Sequence, residues 1–359
     1  MRSVCFCIGS LSAGGAERQI VYIASLLADK GYDVSLVVIK GGDAYLDHLN
    51  GKVTLKRLDL KGFVSSAKIL KAEIAALSPD VVVSFLFHSS LLVRTISPWL
   101  ECPVVTVHRN VSCGAWQRDL LMKLTSRFDA LTVSNTRLAK RLHSRFARSE
   151  LVVIPNIYFS PTGRSENPPK IEQRLESNSL VWGYVGRLEA QKNLSLLLRA
   201  FAEHVKTFPG ARLHIVGDGP ERQALESLCH QLGIASYVNF LGHAKNVQAE
   251  LDRMDAFIMT SLREGMPNAL IEAMAAGLPA VATAVGEVSD MISSWHTGVL
   301  CESFEVETVI TAMNQVAQLS DEKRRAMGDA AREYVVNTCS PTTVIDQWER
   351  VLTQAVSSK

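Results

Sequence analysis

Two carboxylates lie eight residues apart in Ser261-Leu-Arg-Glu264-Gly265-Met266-Pro267-Asn268-Ala269-Leu270-Ile271-Glu272-Ala-Met-Ala-Ala-Gly277. Pro267 suits the first position of a helix and Gly277 its terminating position, so the pattern predicts a helix that begins just after Gly265 and stops before Pro279. A helix start presents unpaired N–H groups and the positive end of its dipole, which together hold a phosphate. Glu272, about a turn and a half further in, can accept hydrogen bonds from ribose hydroxyls, which leaves Glu264 for a sugar. That chemistry suits a sugar nucleotide. Taken alone, Glu272 reads more readily as a solvated side chain. Its neighbours Ala269, Leu270, Ile271, Ala273, Met274, Ala275 and Ala276 make the helix apolar nearly all round, which marks it as buried, and a carboxylate there needs a partner.

Other loops offer complementary chemistry. In Tyr184-Val-Gly186-Arg187-Leu-Glu-Ala-Gln-Lys192-Asn193, two cations five residues apart suit a diphosphate, because the guanidinium forks onto two oxygens and the ammonium adds a point charge. The first apolar run leads into Gly9-Ser-Leu-Ser-Ala-Gly14-Gly15-Ala-Glu-Arg18, where paired glycines either admit a ligand close to the backbone or allow a strand and helix to pack tightly. It has neither the G-x-G-x-x-G of a dinucleotide site nor the Lys-Ser/Thr of a P-loop. Ile215-Val-Gly217-Asp218-Gly219-Pro220 and Leu241-Gly242-His243-Ala-Lys245 each follow a strand with glycine turns, which bring backbone groups to a nucleobase or are plain turns. His108, in Val105-Thr-Val-His108-Arg109-Asn110, also ends a strand; a lone His is commonly structural, and its place at a carboxyl end is what favours a role in a site. With no D-x-D and no His/Cys cluster at ligand spacing, a dedicated metal site is not expected.

The elements that must carry these loops come in two series. Strands at Val4–Ile8, Val34–Ile39, Val81–Phe85, Val104–Val107 and Ala130–Val133, with helices at Ala16–Lys30 and Ser66–Leu77, give βα alternation and hence a parallel sheet wound on both faces. The pattern stops at Leu151–Pro155, and Ser160-Pro-Thr-Gly-Arg-Ser-Glu-Asn-Pro-Pro169 has a linker's composition. A second series follows, with strands at Leu180–Val185, Leu213–Val216, Val238–Leu241, Ala256–Thr260 and Ala280–Ala282 and helices at Leu194–His204, Glu221–Leu232 and Asn268–Ala276. The expected domains are residues 1–160 and 161–340, with a last helix over about Pro341–Val356, in the segment 341–359, packing back across them. Two doubly wound domains would face each other across a cleft at the carboxyl ends of their strands.

Composition supports that division. A chain of 359 residues, 47% of them hydrophobic, can build two cores. Its net charge of +2 hides an asymmetry: residues 1–160 hold 20 Lys+Arg against 12 Asp+Glu, leaving 18 against 24 for the rest. The basic half suits an anionic partner such as a membrane surface, and Trp116–Phe128 and Thr136–Arg148, the latter with Arg137, Lys140, Arg141, Arg145 and Arg148, read as helices able to lie on a bilayer or as ordinary surface helices. No apolar run approaches a membrane span, and the N-terminal run is too short for a signal peptide. Seven cysteines, an odd number, fit a reducing compartment, with Cys5 and Cys7 as buried thiols on one strand face.

Gly14-Gly15, His108, Arg187/Lys192 and Glu264-x7-Glu272, in this order, resemble glycosyltransferase family 4, retaining enzymes of GT-B architecture. The likeness covers nearly the whole chain and is most specific over Glu264–Ala275. It implies two Rossmann-like domains, the first for the acceptor and the second for a nucleotide-sugar donor. By position it makes Arg187 and Lys192 the diphosphate clamp, Glu272 the ribose ligand and Glu264 the donor-sugar contact. Gly15 would offer an N–H near the diphosphate, with Gly14 beside it. His108 would bond the transferred sugar, and the backbone from Gly265 through Met266 and Pro267 to Asn268, Ala269 and Leu270 would hold sugar and phosphate. Gly217 and His243 complete the expected donor site. The opening Gly-Gly-Ala-Glu-Arg is similar to members that build bacterial surface polysaccharides and lipid-linked oligosaccharides. From this follow a UDP-sugar donor, a lipid-linked saccharide or polysaccharide acceptor, a cytoplasmic, peripheral place on the inner face of the cell membrane, no cofactor and no nucleic-acid partner. The competing readings are another GT-B enzyme, such as an epimerase or phosphorylase, a nicotinamide-dependent oxidoreductase, and a basic membrane or nucleic-acid binding module.

Overall fold

The structure, a computed structural model, describes residues 3–12, 14–60, 62–109, 116–143, 149–158, 179–293 and 295–358. The expected linker, residues 160–169, lies outside them, as do Arg145 and Arg148. The chain divides into two units, one of Met1–Ile157 with Ser340–Lys359 and the other of Tyr158–Cys339.

In the first unit the strands are β1 (Ser3–Ile8), β2 (Asp33–Val38), β3 (Thr54–Arg57), β4 (Val81–Phe85), β5 (Val104–His108), β6 (Leu131–Ser134) and β7 (Glu150–Val153). All pair in parallel, in the order β3-β2-β1-β4-β5-β6-β7. Because successive side chains of a strand point to opposite faces and helices cover both, whole strands are apolar. Cys5 and Cys7 go to one face, with Val37, Val82 and Val104, under the helices Phe63–Leu77 and Phe87–Ile96. Their thiols are buried, as expected, and lie 4.0 Å apart. The last helix, Pro341–Ser357, belongs to this unit: Trp348 is fully buried and stacks on Phe85 with ring centroids 6.1 Å apart. Lys30 holds it from outside, donating to Asp346 and Glu349 at 2.7 and 2.6 Å.

The second unit repeats the plan with β8 (Val181–Val185), β9 (Arg212–Val216), β10 (Val238–Gly242), β11 (Ala256–Met259), β12 (Ala280–Thr283) and β13 (Gly298–Cys301), in the parallel order β10-β9-β8-β11-β12-β13. Ala256, Ile258 and Val281 face one core with the helices Leu194–Thr207 and Val306–Gln318, and Phe257, Met259, Ala280 and Ala282 face the other, with the apolar helix Asn268–Ala275. Two doubly wound α/β domains are therefore present. Among the elements unread in the sequence were β3, whose Thr-Leu-Lys-Arg is a half-exposed edge without an apolar run, β13, the helices Phe87–Ile96 and Val306–Gln318, and the polar helix Asp321–Cys339.

A buried ring that stacks but makes no hydrogen bond through its indole nitrogen contributes by packing alone. Trp348→Ala should thus cost about 3–5 kcal/mol in urea unfolding, and Trp348→Phe much less. Equal losses would show that this stack does not hold the helix.

Candidate functional site

In an open α/β sheet, ligands bind outside the carboxyl ends of the strands where the strand order reverses. In the second unit that point lies between β8 and β11. The loops leaving these two strands carry Arg187/Lys192 and Glu264.

The two loops are fastened to each other. Leu262 N–H donates to the Gln191 carbonyl at 2.8 Å, Gln191 Nε2 donates to the Arg263 carbonyl at 2.7 Å, and Thr260 Oγ1 donates to the Asn193 carbonyl at 3.0 Å. These bonds bring Lys192 Nζ to 2.7 Å from Glu264 Oε1, with the carboxylate only 9% exposed and the ammonium 21%. Arg187 differs. It pairs with Glu189 at 2.8 Å but is 67% exposed, so that contact is readily exchanged for another anion. Beneath them Tyr184 is buried and donates its hydroxyl to the Arg187 carbonyl at 3.1 Å. Burial first, then the charges of Glu264 and Glu189, push its phenol far above the ordinary range, so it remains a proton donor.

Glycines let the neighbouring turns close on this loop. Gly217 has φ 130°, and a Cβ there would strike the Gly186 carbonyl oxygen; its own N–H donates to Gly242 O at 2.7 Å. Gly186 N–H in turn donates to Val216 O at 3.0 Å, and Leu188 N–H to Asp218 O at 2.9 Å. The turns after β8, β9 and β10 thus form one layer, with His243 exposed at its edge. On the other side Gly286, at φ 58°, lies where a Cβ would strike the Glu264 carbonyl oxygen, and Glu287 N–H donates to Gly265 O at 2.9 Å.

The helix after Glu264 spans Asn268–Ala275. Its start corrects one expectation: Pro267 is the N-cap, with extended backbone at φ −76° and ψ 118°, rather than the first helical residue. The chain needs the extended turn Gly265–Pro267 to bring Glu264 back to Lys192 before the helix can begin. Ile271 N–H donates to Pro267 O at 3.2 Å, so the helical ladder starts there and the first-turn amides face the Glu264 loop. Gly277 ends the helix as read, at φ 78°. Glu272 is half-buried on it, while Met266, Pro267 and Leu270 are buried and Asn268 and Ala269 partly so.

In the first unit, Gly14 is the N-cap of the helix Gly15–Asp29, which leaves β1. The Glu17 carboxylate turns back over Gly14, accepting from Ser12 Oγ at 3.1 Å, so this helix start already carries an anion at its positive end. His108 closes β5 and is 7% exposed. After it come residues that received no role in the sequence reading: Arg109, which packs its guanidinium over Phe85 at 5.2 Å, and Asn135 and Asn156, which follow β6 and β7. Their only signal was position just past a strand. Among the described residues no group of three His, Cys, Asp or Glu could hold a metal ion, and no helix is long and apolar enough to cross a membrane.

The family model described as Glycosyltransferase Family 4 matches residues 13–158, and that described as Glycosyl transferases group 1 matches residues 167–334. An uncharacterized glycosyltransferase of Haemophilus influenzae is 26% identical, over 98% of this chain and 100% of its own. A Campylobacter jejuni alpha-1,4-N-acetyl-D-galactosaminyltransferase, named for a GalNAc-bearing diNAcBac-PP-undecaprenol, is 27% identical over 84% of each chain. Among solved structures, Anabaena HepE in complex with UDP-glucose superposes with a TM-score of 0.81 at 19% identity, covering 98% of this chain and 100% of that one. That likeness is one of fold, the GT-B fold.

Proposed function

The chain belongs to the glycosyltransferases with a family 4 and a group 1 domain, and we propose that it moves a hexose or N-acetylhexosamine from a UDP-sugar to a lipid-linked saccharide or polysaccharide, with retention of configuration. The observation that carries this reading is the Lys192–Glu264 contact at the sheet's reversal point, which sets a phosphate-binding cation beside a carboxylate suited to a sugar. Arg187 and Lys192 clamp the diphosphate, and Glu272 holds the ribose. Glu264 contacts the donor sugar, with the amides of Gly265, Met266 and Asn268 on sugar and β-phosphate. Gly15 is assigned an N–H for the diphosphate, and His108 a hydrogen bond to the transferred sugar.

No residue is placed as a nucleophile. Retention then follows from attack on the face the diphosphate leaves, the departing phosphate oxygen taking the acceptor proton. Catalysis is positioning together with stabilisation of charge on the leaving group. Two side-chain cations supply that stabilisation, so the proposed reaction uses no metal and no cofactor.

A lipid-linked acceptor calls for a bilayer surface. On the helix Trp116–Thr125, the side chains of Trp116, Leu120 and Leu124 are 70%, 44% and 60% exposed at a spacing of four, beside Arg118 and Lys123. The helix Arg137–His143 adds Arg137, Lys140 and Arg141. Apolar anchors flanked by cations suit anionic lipid, which supports a peripheral site on the inner face of the cell membrane. The relative named for an undecaprenol-linked saccharide points to the same acceptor class.

Calorimetry with UDP tests the donor site. Charge-assisted bonds contribute about 1.5–3 kcal/mol each, so replacing Arg187 and Lys192 together by Ala should weaken binding well over tenfold. Unchanged affinity would remove the clamp. Membrane docking is tested by co-sedimentation: pelleting should require anionic vesicles and fall as salt rises. Equal pelleting with neutral vesicles, or none with either, would refute it.

A further inference from the structure

The carboxyl ends of β4, β5, β6 and β7, four neighbours in the first sheet, converge on a buried polar cluster with none of the roles assigned above. His108 is in register with Ser134 and Ser134 with Val153, so Arg109 and Asn135 leave the sheet side by side, and Asn156 follows on the next strand's exit. The three residues are 7%, 3% and 4% exposed. Arg109 Nη1 donates to Asn156 Oδ1, and Asn135 Nδ2 donates to the same oxygen at 3.2 Å.

The donor and acceptor inventory fixes these orientations. A guanidinium only donates, so Asn156 must turn its carbonyl oxygen toward Arg109. That oxygen then requires the NH2 of Asn135, whose own carbonyl oxygen is left over. Two of the remaining atoms, Arg109 Nε and Asn135 Oδ1, are buried without a hydrogen-bond partner among the described residues. Each shares a carbon with the atom that grips Asn156, so an unused donor and an unused acceptor flank one bracket. Burial pulls the guanidinium's pKa down to about 9, which still leaves it charged at neutral pH, with a neutral amide and the Phe85 ring as its partners.

Polar groups buried in this way are costly to leave unmatched. A hydroxyl matches the chemistry of both atoms, since it can accept from an Nε–H and donate to a carbonyl oxygen. A phosphate or carboxylate oxygen would satisfy the cation but set lone pairs against Asn135 Oδ1.

We propose that Arg109 and Asn135, held in place by Asn156, bind a hydroxyl of the acceptor saccharide at the carboxyl ends of β5 and β6. The ligand class rests on the glycosyltransferase reading; the hydroxyl chemistry rests on the two unmatched atoms.

The test observes the Nε–H resonance of Arg109 in the full chain with 15N-labelled arginine, identified by its loss in Arg109→Lys. Methyl glycosides of common hexoses and N-acetylhexosamines form one titration arm and inorganic phosphate the other. At least one glycoside should shift the resonance saturably while phosphate does not. Asn135→Ala, which removes the unmatched acceptor, should weaken that shift at least tenfold, and Asn135→Asp, which takes the N–H from Asn156 Oδ1, should weaken it too. A response to phosphate alone, no response to any glycoside, or an undiminished response in both variants would overturn the proposal. The wild-type titration decides the matter even if a variant fails to fold. Calorimetry with UDP reports separately on the donor domain, so loss of donor binding there would count against the enzyme reading and leave this result standing.

Discussion

The contact between the Lys192 ammonium and the Glu264 carboxylate joins the loop leaving β8 to the loop leaving β11, across the place where the second sheet reverses its strand order. Its significance is electrostatic as much as structural. A carboxylate that is 9% exposed requires a cation, and Lys192 is the one that meets it. On the proposed reading, a bound diphosphate would give the same ammonium a second anion and so couple phosphate binding to carboxylate position through a single side chain. The charge proposed for the leaving group is thus the one that orients Glu264.

Such a contact needs rigid surroundings. Besides the ion pair, hydrogen bonds through Leu262, Gln191 and Thr260 join the two loops, which emerge from strands buried on both faces. Close approach of the Gly217 turn on one side and Gly286 on the other leaves no room for a side chain at either position. The apolar helix behind Glu264 packs Leu270, Ile271 and Met274 into the core, which fixes its first-turn amides beside the carboxylate. The site is therefore an outcome of packing.

How much of this the sequence carried depended on distance along the chain. The helix after Glu264 was legible because its composition is local: an all-apolar run demands burial, and Gly277 marks the end. Its start was misplaced because Pro267 fits two adjacent positions, and only the loop's return to Lys192 decides between them. The Lys192–Glu264 pair spans 72 residues and has no local signature. Arg109, Asn135 and Asn156 were invisible as a cluster for the same reason, since parallel strands bring residues together only after long crossovers. Glu17 was read as part of a glycine motif, yet it turns its charge back over the helix start.

The division of labour between the two carboxylates is the central claim, and bare UDP separates them because it contains the ribose and diphosphate but no donor sugar. Glu264→Gln removes the anion that shares Lys192, so UDP should bind as tightly as to the wild type or more tightly, while turnover of the UDP-sugar falls. Glu272→Gln should weaken UDP itself. Isothermal titration of UDP into the two variants is the direct measurement. Retained or improved affinity in Glu264→Gln with a clear loss in Glu272→Gln is the predicted result; equal losses in both, or a loss confined to Glu264→Gln, would contradict it.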